Sequence, residues 1–492
     1  MLYKYLPIDT KYFKDTEAEI LSQFDNIDKS LDGWLIKSEN YQALNTILPK
    51  FKEKVQTIYI DPPFNLDSSD RFLYHTNYKD ANWATLLENR LKLAKEWLNE
   101  KGSIFVRCDY NGNWIVRPIM DEIFGKENFR NEIIVKRGAS KAGLFTQFEG
   151  INSMAVSYDN FYWYSKNESL RFRPFLKEAR EEQKIKGKWT GFDKGEAYDR
   201  PTMRYEILGV SIDKGQWKWS KERAHKAVEN YKKYLDGFAD KYTLEEYWEI
   251  TGRELEFIRK NDNGKIQYWV EPREFVYVDN NWLDITGYSS STGFQTENSE
   301  YPLKRIIETL TDKNDLVLDF FLGSGTTTAV AHKLGRKWLG VEMGEHFYTV
   351  VLPRMKKVLA YDKSGISKEV KEYQGGGFFK YYELEQYEET LANCKYEDGD
   401  LFHSPSKTPY QEYVFMKDEK LTDALEIDYE NNKVKVDLSK IYPNIDIAET
   451  LSNLKGKYIK RITSNEVEFE DGGKINLKDL DYKLIKPLIW WE

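Results

Sequence analysis

The stretch DLVLDFFLGSGTTTAVAHKLGRKWLGVE, residues 315–342, decides the fold. Its first part, 315–320, is an apolar run that predicts a buried strand, and the LGSG that follows predicts a tight turn. Residues 326–334 predict a helix, and 337–342 predict a second buried strand that ends in Glu342. Strand, glycine turn, helix and strand in this order are typical of a doubly wound, mostly parallel α/β sheet.

The glycine turn has the features of a ligand-binding loop. Asp319 comes at the end of the first strand, and Gly323 and Gly325 would let a ligand approach the backbone where a side chain would clash. Glu342 could accept hydrogen bonds from two ribose hydroxyls, as acidic residues do in dinucleotide sites. A phosphate loop is excluded because the pattern GxxxxGK and its lysine are absent. A nicotinamide site matches poorly because GxGxxG is absent, and a purely structural turn stays open.

Alternating strand and helix patterns continue on both sides of this stretch. The pattern predicts strands at 55–60, 103–108 and 131–137, helices at 83–98, 114–124, 301–311 and up to about 360, and a hairpin at 466–477. The alternation is interrupted by 166–281, a polar segment rich in Lys, Trp and Tyr that is predicted to be an insertion with its own structure. The α/β domain is thereby split into 1–165 and 282–362, and 376–492 is predicted to be a small α+β unit.

The tetrapeptide Asp61-Pro62-Pro63-Phe64 directly follows the predicted strand 55–60. Pro-Pro can be an ordinary rigid turn. A chemical interpretation is that the prolines fix the backbone so that the Asp61 carboxylate and the Pro62 carbonyl accept hydrogen bonds from an exocyclic amine. Such an amine is a poor nucleophile because its lone pair is delocalised into the base. Phe64 offers a flat face on which an extruded base could stack.

Composition narrows the alternatives. The chain has 492 residues, a net charge of −8 and two cysteines, Cys108 and Cys394, which exclude a disulfide framework and a thiolate zinc site and fit a reducing cytoplasm. Five scattered histidines show no ligand spacing, so no metal site is predicted. Cys108 lies in VRCDYN at a strand end and is interpreted as a core residue rather than a nucleophile. No apolar segment has the length of a signal peptide or membrane span, so no membrane partner is expected.

The motifs occur in a distinctive order, with DPPF before the glycine loop, and this order resembles that of a known class of enzymes. The chain resembles the beta class of amino-methyltransferases, and particularly the modification subunits of Type III restriction systems. Four blocks share this pattern: 35–65, 82–111, 121–137 and 296–327. The resemblance implies a class I, Rossmann-like methyltransferase fold with circularly permuted motif order. It also implies that related long proteins have additional sequence upstream, so that this chain is expected to be part of a larger or split polypeptide.

The resemblance implies a cofactor, S-adenosylmethionine, whose methionine part would face Gly323 and Gly325. Phe320 and Phe321 would line the loop, and Glu342 would take the ribose. The full set of implied cofactor contacts is Glu39, Thr296, Asp319, Phe320, Phe321, Gly323, Ser324, Gly325, Thr326 and Glu342. Two departures concern this set: the family often has Gly-Asp where this chain has Ser38-Glu39, and commonly has Lys-Pro where this chain has Asn298-Ser299.

The activity that the resemblance implies is methylation of adenine N6 in double-stranded DNA, as the modification component of a restriction or defence system. Aspartate at position 61 suggests adenine, because N4-cytosine enzymes of this family usually carry serine there. The insertion would recognise the target, with Lys136 and Arg137 contacting DNA. A homodimer and a nuclease or helicase subunit are further expected partners. The alternatives are an N4-cytosine or RNA methyltransferase, and a DNA-recognition subunit with a vestigial methyl site.

Overall fold

A computed structural model describes residues 6–64, 78–137, 156–179, 186–195, 200–294, 296–386, 425–428, 433–436, 438–441, 444–478 and 480. The chain divides into two compact units. Unit 1 consists of Met1–Arg173 and Asp279–Glu492, and unit 2 is Pro174–Val278. Unit 2 lies within the segment 166–281 for which the sequence predicts an insertion.

The strands and helices follow the predicted alternation. The strands are β1 (Gly33–Lys37), β2 (Val55–Ile60), β3 (Leu98–Cys108), β4 (Phe129–Lys136), β5 (Tyr158–Ser165), β6 (Leu176–Glu178), β7 (Lys188–Gly191), β8 (Asp193–Lys194), β9 (Gln216–Trp217), β10 (Ile258–Lys260), β11 (Ile266–Val270), β12 (Phe275–Tyr277), β13 (Asn281–Thr286), β14 (Leu316–Asp319), β15 (Lys337–Glu342), β16 (Phe379–Glu383), β17 (Leu425–Asp428), β18 (Lys433–Val436), β19 (Ile459–Ile462), β20 (Glu466–Phe469) and β21 (Lys474–Asn476). The helices are α1 (Lys14–Ser22), α2 (Ile27–Ser30), α3 (Asn40–Phe51), α4 (Asp80–Trp97), α5 (Asn113–Phe124), α6 (Lys221–Gly237), α7 (Leu244–Ile250), α8 (Glu300–Leu310), α9 (Thr326–Lys333), α10 (Leu352–Leu359), α11 (Leu438–Ile441) and α12 (Ile447–Lys455), with a π-helical turn, Phe347–Val351, leading into α10.

Unit 1 is built on a nine-stranded sheet with the order β13-β4-β5-β3-β2-β14-β15-β1-β16. All neighbours in this sheet are parallel except for β5, which is antiparallel to β3 and β4. All six residues of β2 are buried, as expected for a strand that is covered on both faces of a parallel sheet. The fold is therefore the α/β, Rossmann-like methyltransferase class predicted from the sequence.

The strand order reverses between β14 and β2. From β14 the chain proceeds through α9 to β15 on one side, whereas from β2 it proceeds through α4 to β3 on the other side. In an open α/β sheet, the two connections diverge at such a point and leave a crevice outside the carboxyl ends of the strands. Asp61 and the glycine loop follow the carboxyl ends of these two strands, so both border this crevice.

The C-terminal segment corrects one sequence prediction. The unit expected from residue 376 does not begin as a separate domain, because β16 pairs in parallel with β1 at the edge of the central sheet. Buried Lys50 of α3 also forms ion pairs with Asp28, at 2.9 Å, and with Glu449 of α12, at 3.1 Å. The sequence suggested a boundary because glycines precede β16, but strand pairing and these buried charges join the segment to unit 1.

Unit 2 has two apolar cores of its own. One core contains Phe192 and Trp217, and the other contains Phe257 and Trp269. The backbone N–H of Val278 donates to the carbonyl oxygen of Phe175 at 2.9 Å, so the two ends of this unit lie side by side.

Candidate active site at the switch point

The DPPF turn is held in place by its neighbours. Pro62 is buried, and the indole Nε1 of Trp83 in α4 donates to the carbonyl oxygen of Pro63 at 2.8 Å. Gly112 lies against the ring of Trp83, where an added Cβ would come within 2.4 Å of a ring carbon. A tryptophan that is itself tightly packed thus fixes the backbone that carries Asp61.

The Asp61 carboxylate has one side-chain hydrogen-bond donor in the described part of the chain. Asn298 Nδ2 donates to Asp61 Oδ2 at 3.0 Å. The same oxygen lies 3.8 Å from Nη1 of Arg107, a β3 residue that is 1% exposed. The Asp61 side chain is 17% exposed. The carboxylate is therefore held from one side and retains some access to the crevice.

Burial raises the pKa of Asp61 to about 6. The charge of Arg107 and the hydrogen bond from Asn298 act in the opposite direction, and nearby Asp159 and Asp109 raise the pKa further. At neutral pH the carboxyl group is mostly ionised and can accept hydrogen bonds.

Two arginines and two buried carboxylates surround this position. Arg107 Nη2 donates to Asp159 Oδ2 at 2.6 Å. Arg137 Nε lies 3.2 Å from the other oxygen of Asp159, and its Nη2 contacts Asp109 at 3.5 Å. The Arg137 guanidinium also lies 6.0 Å from the centre of the Phe64 ring. Arg137, predicted to contact DNA, is thus already paired with two carboxylates beside the DPPF turn, whereas Lys136 is exposed.

The glycine loop has the left-handed geometry that its sequence requires. Gly323 has φ +57° and Gly325, which caps α9, has φ +81°. Asp319 holds the loop, because its carboxylate accepts hydrogen bonds from the Phe321 N–H at 3.0 Å and from the Thr327 hydroxyl at 2.6 Å. Burial raises the pKa of Asp319 to about 7.

The space beside Gly323 fits a ligand that approaches the backbone. A Cβ built at this glycine meets no atom nearer than 3.9 Å, the closest being a ring carbon of Phe294. Glu342 accepts the Gly323 N–H at 2.8 Å with one oxygen and the Gly344 N–H at 2.9 Å with the other. The carboxylate predicted to take a ribose is therefore fixed next to the loop by the backbone.

A buried cluster fixes the far side of the loop. Arg354 Nη1 donates to Thr326 Oγ1 at 2.9 Å and to Glu297 at 3.0 Å, and it also contacts Ser324 at 3.4 Å. Thr326 Oγ1 in turn donates to the backbone carbonyl of Asn298 at 3.3 Å. Asn298 is thus bonded to Asp61 through its side chain and to the glycine loop through its backbone.

Other predicted cofactor residues lie at the same edge with different partners. Glu39 caps α3 by accepting the Gln42 N–H at 2.9 Å, and it pairs with Arg90. Asn40 Nδ2 donates to the carbonyl of Phe320, whose side chain is buried in the core, while Phe321 is half-buried. Thr296 lies in the segment that joins Phe294 to Asn298, and its contact with a cofactor stays a prediction.

The structure therefore brings together DPPF, the glycine loop and Glu342, although they are distant in sequence. Sequence reasoning missed the importance of Arg107, Asp159 and Arg354. A signal was present for Arg107, because an arginine inside an apolar strand must find partners for its charge. Cys108 is buried, in agreement with its interpretation as a core residue.

Within the described ranges, no three His, Cys, Asp or Glu side chains form a group that could hold a metal ion. No helix in the part of the chain that the structure describes is both long and apolar enough to span a membrane.

Comparison with known proteins agrees with this architecture. The sequence profile of a family described as DNA methylase, and named for N6 and N4 methyltransferases, matches residues 55–352. A probable type III restriction-modification enzyme HindVI Mod subunit from Haemophilus influenzae is 31% identical over 413 residues, which are 73% of this chain and 55% of that protein. The type II methyltransferase M.EcaI from Enterobacter cloacae is 26% identical over 69% of this chain and 70% of its own length.

A cytosine-N4-specific PvuII DNA methyltransferase of known structure covers 71% of this chain and 95% of its own length, with 13% identity and a TM-score of 0.37. The chain spans about half the length of several Mod subunits that it matches. The family match includes the DPPF turn, the glycine loop and Glu342, and it extends over more than half of the chain. The chain belongs to the DNA methylase family.

Proposed function

We propose that this protein transfers a methyl group from S-adenosylmethionine to an exocyclic amine of a base in double-stranded DNA, and that the amine is N6 of adenine. The observation that carries the proposal is the position of Asn298. Its side chain binds Asp61 and its backbone binds Thr326, so the DPPF turn and the glycine loop are within reach of a single residue. An amine held by Asp61 would therefore lie beside a ligand held by the loop.

The residues around Gly323 fit S-adenosylmethionine. The open space beside this glycine and the adjacent carboxylate of Glu342 suit a ligand with a ribose and a small polar chain. Gly323, Gly325 and Glu342 would hold this cofactor, with Asp319 keeping the loop in shape. When bound, the cofactor supplies an electrophilic methyl group on a cationic sulfonium.

The role of the DPPF turn follows from the chemistry of the amine. The Asp61 carboxylate and the Pro62 carbonyl would accept its two N–H groups and favour a tetrahedral nitrogen, whose lone pair is then available for direct attack. The backbone is preorganised because the two prolines and the bond from Trp83 restrict it. Phe64, with Arg137 near its ring, would stack on the extruded base.

The names of the relatives support a place in a restriction-modification system. Several relatives are called Mod subunits of type III enzymes and others type II methyltransferases. Aspartate at the first position of DPPF favours adenine over cytosine N4. We further propose that the protein forms a homodimer and binds a nuclease or helicase subunit. In the same proposal, Pro174–Val278 contacts DNA.

Replacement of Asp61 by Ala tests the proposal. We expect methyl transfer from tritiated S-adenosylmethionine to unmethylated genomic duplex DNA to fall by about 10²–10⁴-fold, because the amine loses its main acceptor. Calorimetric binding of the cofactor should change little. Asp15→Ala, at an exposed position in α1, is the matched control and should retain full activity.

The product identifies the target base. Digestion of the methylated DNA to nucleosides should release 6-methyladenine. Release of 4-methylcytosine would show that the target is cytosine N4 and not adenine N6. Undiminished transfer by the Asp61→Ala variant would contradict the role given to DPPF. Absence of transfer by the unmodified chain, with cofactor binding intact, would favour a recognition subunit with a vestigial methyl site.

A further inference from the structure

Arg107 occupies an unusual position for an arginine. It lies at the carboxyl end of β3, an inner strand of the central sheet, and its side chain is 1% exposed. Its guanidinium donates to Asp159 at 2.6 Å, to the Gly287 carbonyl at 3.2 Å and to the side-chain oxygen of Asn298. The Tyr288 ring covers it at 4.2 Å. A charge so fully removed from water must be compensated by such partners, so this placement is specific.

The surrounding backbone is shaped to this guanidinium. A Cβ at Gly287 would lie 2.8 Å from Nη2 of Arg107, so any other residue at this position would push the guanidinium away. The N–H of Gly287 donates to the carbonyl of Lys136, which fixes the segment on the sheet. Arg107 and the segment before α8 therefore fit each other closely.

Asn298 connects this cation to Asp61. Its Oδ1 accepts from Arg107 and its Nδ2 donates to Oδ2 of Asp61 at 3.0 Å. The amide thus lies between a buried cation and a carboxylate, with its dipole aligned to both. The direct separation of Arg107 Nη1 and Asp61 Oδ2, 3.8 Å, is too long for a hydrogen bond.

We propose that Arg107 and Asn298 are positioning residues for Asp61: the Asn298 amide binds one carboxylate oxygen, links it to the Arg107 charge, and leaves the other oxygen, which has no hydrogen bond to the described residues, to accept one from the substrate amine. This inference rests on the proposed function. It assigns to two residues outside DPPF and the glycine loop a specific part in the reaction. Neither residue needs to touch the base or the cofactor.

The arrangement has a consequence for the ionisation of Asp61. Burial and the two nearby aspartates favour its neutral form, while Arg107 and Asn298 favour the carboxylate. Among the described residues, the titratable and charged groups that face Asp61 are Arg107, Cys108, Asp109, Asp159, Tyr59, Tyr288 and Asp319. Without the Asn298 donor, the protonation equilibrium of Asp61 moves toward the neutral carboxylic acid, which is a poorer hydrogen-bond acceptor for the amine.

The test uses Asn298→Ala in the full chain. We expect the pKa of Asp61 to rise by about one unit, so that the acid limb of the single-turnover rate moves upward by about one pH unit. Infrared difference spectra between this variant and its Asp61→Asn double variant follow the protonation of Asp61 without any turnover. The backbone carbonyl of Asn298 that binds Thr326 is retained, so cofactor affinity should be preserved.

Asn280→Ala is the matched control. This amide lies just before β13 and donates to the Glu132 carbonyl at 2.8 Å instead of to Asp61, so neither the titration nor the acid limb should move. Arg107→Lys is a second variant. It keeps the positive charge but lacks the fork that reaches both Asp159 and Asn298, so we expect a smaller upward shift.

The outcomes separate the inference from the proposed function. An equal loss of rate at every pH, with the Asp61 titration unchanged in Asn298→Ala, would overturn the inference and leave a structural role for the amide. The opposite outcome is also distinguishable. If Asn298→Ala shifts the Asp61 titration but the unmodified chain transfers no methyl group at any pH, the positioning role is supported and the proposed function is overturned.

Discussion

At the scale of single residues, Asp61 and Asp319 end two adjacent parallel strands, and burial raises the pKa of both. The negative charge of Asp61 further raises the pKa of Asp319. Two carboxyl groups that titrate near neutrality make this edge of the sheet favourable for a cation. A cationic ligand would stabilise the ionised forms of both groups. A sulfonium carries this positive charge.

The exposed lysine at the end of β4 gives a prediction for DNA binding. Lys136 forms no ion pair within the described residues, so it is available to a phosphate. We expect Lys136→Ala to weaken DNA binding and to reduce the slope of log affinity against log salt concentration by about one. Fluorescence anisotropy of a labelled duplex across a salt series measures both.

Lys101, an exposed lysine nearer the start of β3, provides the control. Lys101→Ala should leave affinity and slope unchanged, since this end of the strand faces away from the active-site edge. An identical loss in both variants would show that Lys136 acts only through the net charge of the protein. Arg137 is unsuitable for this comparison, because its removal would take the ion pair from buried Asp109 and leave Asp159 paired with Arg107 alone.

At the scale of elements, the glycine loop gives a prediction that separates folding from binding. Gly323 has a left-handed backbone and open space beside it. Gly323→Ala should cost only about 1–2 kcal/mol of stability, from the backbone conformation. Its methyl group would occupy the space of the cofactor, so we expect cofactor affinity to fall by about tenfold or more.

Gly335 is a close match for Gly323. It has φ +73°, a Cβ there meets nothing nearer than 3.9 Å, and it lies in the turn between α9 and β15. Gly335→Ala should lower the melting temperature by a similar amount while calorimetry shows unchanged cofactor binding. Equal cofactor affinity in the two variants would argue against a ligand at Gly323.

The sequence predicted the elements around the site well, for a physical reason. β2 and β15 occupy the predicted residues 55–60 and 337–342, because continuous apolar runs of this length are buried wherever the sheet forms. The meeting of DPPF with the glycine loop followed from family resemblance. The bridge through Asn298 could not be predicted, because it depends on a loop conformation that no periodic pattern encodes.

At the scale of the whole molecule, the extent of the central sheet was the least predictable feature. β16 and β13 extend the sheet at its two edges, and each is separated by a long stretch of chain from the preceding strand of this sheet. A short strand after a glycine run can equally start a new domain, and for this reason the sequence predicts a separate unit from residue 376 onward. The buried ion pairs of Lys50 with Asp28 and Glu449 have no local signature in sequence.

The division into two units gives a prediction for a deletion. We expect unit 1 to fold when the chain between Phe175 and Val278 is replaced by a flexible linker of about two to four residues, because these two residues are already hydrogen-bonded. The shortened protein should keep a cooperative melting transition and bind cofactor in calorimetry. It should lose methyl transfer to DNA, if the removed unit recognises the target. Loss of the melting transition would show that unit 1 depends on unit 2.

The side-by-side ends of unit 2 have an evolutionary consequence. A segment that leaves and re-enters its host at one point can be exchanged as a block, since its replacement alters neither the order nor the pairing of the strands that carry Asp61 and Gly323. If unit 2 recognises the target, as proposed, recombination at the two junctions would give descendants that share one α/β scaffold and differ in the DNA sequence they mark.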